Sequence, residues 1–110
     1  MTTPRYLIAL AFACAALSAA HAADAASNWT DKCAKCHGQD GKGDTKMGRK
    51  LSISDMTDAK VQSTFTDEDA FNAMKRGLAD NKGKTTMKAI EGLSDEDMKA
   101  LVPYVRSLKK

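Results

Sequence analysis

An all-α fold of about four short helices joined by loops is what the sequence predicts, and three observations predict it. Two segments open alike, with Thr66 before "DED" and Ser94 before "DED". A hydroxyl residue that caps the first free amides, followed by acids at the positive end of the helix dipole, marks a helix start. Behind both starts, apolar residues recur every three or four positions, the period of a helix with one buried face. No stretch alternates apolar and polar residues as a half-buried strand would.

The chain has 110 residues, enough for one domain. Its first 22 residues, "MTTPRYLIALAFACAALSAAHA", carry one charge, Arg5, then an apolar run from Tyr6 to about Leu17 and a small-residue Ala20-His21-Ala22 site. That order is a secretory signal peptide, and the run is too short for a membrane span. The expected division is residues 1–22 as signal peptide and 23–110 as the mature domain. Cleavage would remove Cys14 and His21, leaving Cys33, Cys36 and His37 as the only thiols and imidazole. The net charge of +3 would fall to +2 with the loss of Arg5, too little to imply nucleic acid. A domain this short buries little apolar surface, and with three Phe, two Tyr and one Trp in the whole chain it needs something else to fill its core.

A first helix is expected from about Ala25 to Cys33, with Trp29 on its inner face. Four glycines between Gly38 and Gly48 then mark a loop that turns tightly or admits close backbone approach. A short helix is expected over Thr57 to Gln62. The helix capped by Thr66 carries Ala70, Phe71, Met74 and Leu78 at helical spacing, with Gly77 weakening its end. The last helix, capped by Ser94, carries Met98, Leu101, Val102, Val105 and Leu108, and ends on "KK". Pro103 inside it removes a hydrogen bond and should kink the axis.

The chemistry lies in "CAKCH", residues 33–37. A disulfide needs no histidine and would close a loop too short to constrain the chain much. A thioredoxin-like dithiol needs alternating strands and helices. Structural zinc needs four ligands, and three are offered. Covalent haem uses every residue. Thiols at i and i+3 lie on one helical face about 5–6 Å apart, in reach of two vinyl groups on one porphyrin edge. The next residue is turned by about 100°, so His37 can project over the ring. Cys-x-x-Cys-His is the attachment pattern of c-type haem. A large flat apolar group also supplies the missing core, and the apo chain should be largely unfolded.

The opposite axial position is open to methionine, lysine, water or nothing. Met74 and Met98 fall on apolar helix stripes and read as core. Met47 is too near His37 to wrap to the other face, and Met56 lies in an irregular polar stretch. Met87 lies in "GKTTMKAIEGL", between two helices and 50 residues beyond His37, and is the expected ligand.

With "CAKCH" in place, Trp29 stands four residues before the first cysteine, and Leu101 and Tyr104 stand three apart in "LVPY". On these residues the chain resembles a small bacterial class I c-type cytochrome with a single haem, over essentially all of residues 23–110. The resemblance implies a cytochrome c-like fold wrapped around one covalently attached haem c. It implies an aromatic on the N-terminal helix against which the C-terminal leucine and aromatic pack, with Ala25 at the crossing. It supports Met87 as the distal ligand. Two departures stand out. Many members have a proline soon after the haem motif whose carbonyl accepts from the axial histidine, and here only Pro103 remains after residue 22. The family often sets a tryptophan near a propionate, and the only Trp is already in the helix.

The expected function is soluble, periplasmic one-electron transfer between a redox protein donor and acceptor. Cys33 and Cys36 would bind the cofactor, and His37 and Met87 would bind its iron. No residue is asked to act as acid, base or nucleophile, so no enzyme is expected. Lysines 32, 35, 42, 46 and 50 near the attachment, with Lys82, Lys84 and Lys88 near Met87, would steer an acidic partner. A monomer without stable membrane insertion is expected. An open sixth position would instead mean a site that binds a small ligand or reduces peroxide, and a third reading is a haem module inside a larger complex.

Overall fold

The computed structural model describes residues 15–110, with side chains from residue 24 onward. Most of the expected leader, including Arg5 and Cys14, therefore lies outside the described residues. Six helices and one two-stranded hairpin make up the rest. They are α1 (Ala15–Lys32), α2 (Ala34–His37), α3 (Lys46–Leu51), α4 (Ala59–Gln62), α5 (Asp67–Arg76), β1 (Leu78–Ala79), β2 (Thr85–Met87) and α6 (Asp95–Ser107).

Helix α1 begins well before the expected Ala25. Its first turns are rich in alanine, the residue with the highest helix propensity, so helix extends back into the small-residue end of the leader. It stops at Lys32, and Cys33 caps the separate turn α2.

The core forms where α1, α5 and α6 meet. Ala25, Trp29 and Cys33 come from the α1 end, Ala70 and Met74 from α5, and Met98, Leu101, Val102 and Val105 from α6. Leu101 is completely buried. Ala25, at 2 % exposure, is a small buried side chain of α1 in the core that α1 shares with α6. Trp29 and Tyr104 meet across that crossing with ring centroids 5.6 Å apart. Both methionines read as core, Met74 and Met98, are buried.

The two acidic helix starts are complete capping boxes. The Thr66 hydroxyl accepts from the Asp69 amide while Asp69 accepts from the Thr66 amide. Ser94 and Asp97 repeat the arrangement at α6. Pro103 lies on the exposed face of α6, which continues past it to Ser107. The last residue is not loose, for the Lys110 amide donates to the Thr57 carbonyl at 2.9 Å.

Three features differ from the sequence expectation. Leu78 is not on the stripe of α5, because that helix ends at Gly77, and Leu78 is half exposed in β1. Helix α3 forms inside the glycine-rich segment, capped by Thr45. Met87 sits in a strand rather than a loop, since β1 and β2 pair antiparallel with Leu78 opposite Met87. Strands of two and three residues are too short to show alternation.

Candidate haem site

Local backbone chemistry places Cys33, Cys36 and His37 on one turn. The Cys36 and His37 amides both donate to the Cys33 carbonyl, at 3.2 and 2.9 Å. The two cysteines are not joined by a disulfide. Among the described residues no group of three or more His, Cys, Asp and Glu side chains converges on an ion site.

The carbonyls of Cys36, His37 and Gly38 are each taken by a donor from outside the turn. The Thr45 hydroxyl donates to the Cys36 carbonyl at 2.7 Å. The Gly43 amide donates to the His37 carbonyl at 2.7 Å. Trp29 Nε1 donates to the Gly38 carbonyl at 3.1 Å. The glycine-rich loop thus folds back to clamp the backbone that carries His37. Gly48 is where close approach is needed. A Cβ there would lie 2.1 Å from the Gly43 carbonyl oxygen and 2.6 Å from that of Cys36. Glycine density signalled the loop, but the sequence carried no sign that Thr45 closes it.

Electrostatics suit ligation. Burial holds the His37 imidazole below its ordinary pKa, so it is neutral at pH 7 and keeps a lone pair. Burial, with a smaller push from Cys36, raises the Cys33 thiol to about 11. Of the two imidazole nitrogens, Nδ1 is enclosed and has no hydrogen-bond partner among the described residues. Among the described residues no carbonyl takes the place of the absent proline's.

Met87 is held by a different part of the chain. The Asp80 carboxylate accepts from the Lys82 and Lys84 amides, each at 2.9 Å, and closes the hairpin turn. Gly77, with φ +77°, lies against the Met87 carbonyl, and a Cβ there would sit 2.6 Å from that oxygen. The Ile90 amide donates to the Met74 carbonyl at 2.8 Å and fixes the chain beyond. Met87 itself is half-buried and packs against the core. Met56 is also half-buried, but its amide is bonded to the Gly41 carbonyl on the loop that follows His37. The described geometry brings Cys33, Cys36 and His37 together on one support and sets Met87 on another.

An open cleft of about 720 Å³ runs beside the hairpin. Met87 lines it, together with Lys32, Arg76, Lys88 and Glu91, but neither cysteine nor His37 does.

Two thiols on one turn, a neutral imidazole with one nitrogen sealed and a thioether on a separate support form a donor set that fits a tethered haem. The fold and this site define a small c-type haem protein. The family description "Cytochrome c" matches residues 22–109, and the chain belongs to the cytochrome c family. Among solved structures, "KustC0563 c-type cytochrome" is 32% identical, with 79% of this chain and 99% of that one covered and a TM-score of 0.68. A tyrosine-to-phenylalanine mutant of Kustc0563 is 31% identical, with 78% and 99% covered and a TM-score of 0.64. No curated protein matches the chain. Members of the family bind covalent haem c, and one haem suits a chain of this size. They are typically electron carriers.

Proposed function

We propose that the protein is a periplasmic one-electron carrier whose haem is bound through Cys33 and Cys36 and ligated by His37 and Met87. When bound, the haem supplies an iron that gains and loses one electron. The chain's contribution is rigidity. His37 is fixed by the three-carbonyl clamp and Met87 by the hairpin, so little rearranges when the charge changes. A thioether ligand and burial favour the reduced iron, giving a relatively high potential. This role asks for no acid, base or nucleophile, and we read the protein as a carrier rather than an enzyme.

The observation that carries this reading is the His37 imidazole, its Nδ1 enclosed, on the same clamped turn as two unpaired thiols. The mass and optical spectrum of the exported protein test it. One haem added to the polypeptide mass and a methionine-to-iron charge-transfer band in the oxidised form are expected. Absence of the band, with ready carbon monoxide binding to the reduced form, would overturn it in favour of an open ligand-binding site.

Export with cleavage after Ala22 belongs to the same proposal. It is supported by the leader pattern and by a family match that begins at residue 22. Among the described residues no helix is long and apolar enough to cross a membrane. The purified periplasmic protein should begin at Ala23 and elute as a monomer.

An acidic redox partner is supported by the cleft beside Met87, where Lys32, Arg76 and Lys88 face one acid, Glu91, next to exposed Leu78. Electron-transfer rates should fall as ionic strength rises. A flat response would remove the steering role.

A further inference from the structure

A ligating imidazole ordinarily donates its second N–H to a carboxylate, a carbonyl or water, which fixes the ring and strengthens it as a donor. In this protein His37 Nδ1 is enclosed and has no such acceptor among the described residues. What stands against the ring is Trp29, with centroids 5.5 Å apart and planes inclined at 40°. Trp29 is 2 % exposed and cannot swing away. It also meets Tyr104 of α6, with ring centroids 5.6 Å apart. Its indole N–H is anchored to the Gly38 carbonyl, one residue beyond His37.

From these contacts we infer that Trp29 is the positioning residue for His37, setting the imidazole plane by ring contact where a hydrogen bond to Nδ1 would ordinarily set it. The orientation of the ligand is thereby tied to the crossing of α1 and α6. With no acceptor for Nδ1–H among the described residues, the imidazole would be a weaker electron donor to a bound iron, which would raise the potential. The inference rests on His37 being an iron ligand, as proposed above.

The test uses the mature haem-loaded protein and its Trp29→Leu and Trp29→Phe variants. Three signals are read: the haem-methyl paramagnetic shifts of the oxidised form, which follow the imidazole plane; solvent exchange of the His37 Nδ1–H; and the reduction potential. Trp29→Leu removes the ring and admits water to Nδ1. The methyl shifts should change in order or spread, exchange should accelerate and the potential should fall. Trp29→Phe keeps a ring but loses the bond to Gly38, so the methyl order and slow exchange should persist. A folded Trp29→Leu protein with wild-type shifts and exchange would overturn the inference. Should that variant not fold, Tyr104→Leu removes the ring that packs against Trp29 and should move the same signals in the same direction, and unchanged signals there overturn it equally. A wild type without hyperfine-shifted imidazole protons would defeat the ligation reading itself, a result distinct from insensitivity to Trp29.

Discussion

Arg106 donates through a single guanidinium nitrogen to both the backbone carbonyl and the side-chain oxygen of Gln62, at 2.6 and 2.9 Å. The rest of the guanidinium reaches the Phe65 carbonyl and Asp67, at 2.8 and 2.9 Å, and lies over the Phe65 ring. Gln62 is buried and donates in turn to the Met56 and Val105 carbonyls, at 2.7 and 2.9 Å. One side chain of α6 therefore closes the segment between α4 and α5. Arg106→Ala should cost about 2–3 kcal/mol, since it leaves several oxygens without a charged donor. Arg106→Lys should recover little, because an ammonium cannot span the same acceptors. Denaturant unfolding measures both, and a loss below about 0.5 kcal/mol for the alanine variant would be surface-like and contrary to expectation.

Two glycines with similar φ angles should respond differently to alanine. Gly77→Ala would add left-handed strain and press a Cβ against the Met87 carbonyl and the Ala89 amide, 2.6 and 2.9 Å away. A loss of about 3 kcal/mol is expected, with a weakened charge-transfer band as Met87 shifts. Gly83, at φ +79°, has nothing within 4 Å of its added Cβ. Gly83→Ala should cost only the conformational strain, about 1 kcal/mol, and leave the spectrum alone. Equal losses would show that the contact at Gly77 does not matter.

Met87→Ala should abolish the charge-transfer band, lower the potential and open the reduced iron to carbon monoxide. Met56→Ala, on the loop that follows His37, should leave all three unchanged. Retention of the band in Met87→Ala, or its loss in Met56→Ala, would reassign the distal ligand.

Asp69 carries a pH prediction. Hydrogen bonds from the Thr66 amide and hydroxyl hold its carboxyl below the ordinary carboxylate range. The folded state thus binds its proton more weakly than the unfolded chain does. The cap's contribution is present above the ordinary value, near pH 4, and is lost as the pH falls through the folded pKa. Asp69→Asn removes that titration. The stability gap between wild type and variant should be full at pH 6 and narrow below about pH 4. Parallel stability curves across that range would contradict the assignment.

What the sequence disclosed divides along a physical line. Helix starts at Thr66 and Ser94 were legible because a cap is built from residues three apart. The turn that brings Cys33, Cys36 and His37 together was legible because they fall within five positions. Trp29 and Tyr104 were placed by family resemblance, and the structure brings their rings together at the crossing. The clamp on Cys36 by Thr45 was not legible, since it joins residues nine apart through a loop whose path only tertiary packing decides. Nor was the hairpin beneath Met87, whose strands are too brief for any pattern and whose turn depends on one aspartate side chain. That His37 Nδ1 finds no partner among the described residues was half visible, as the absence of a proline, but the indole beside the ring is placed there only by tertiary packing.

The crossing of α1 with α6 has a consequence for biosynthesis. Leu101, Val102 and Val105 belong to the last turns of the chain to leave the ribosome, whereas Ala25 and Trp29 emerge long before them. A nascent chain therefore has no partner for its first helix until translation is nearly done, and long-range closures of this kind are slow to form. Cys33 and Cys36 therefore leave the ribosome well before the crossing that packs against their turn can form.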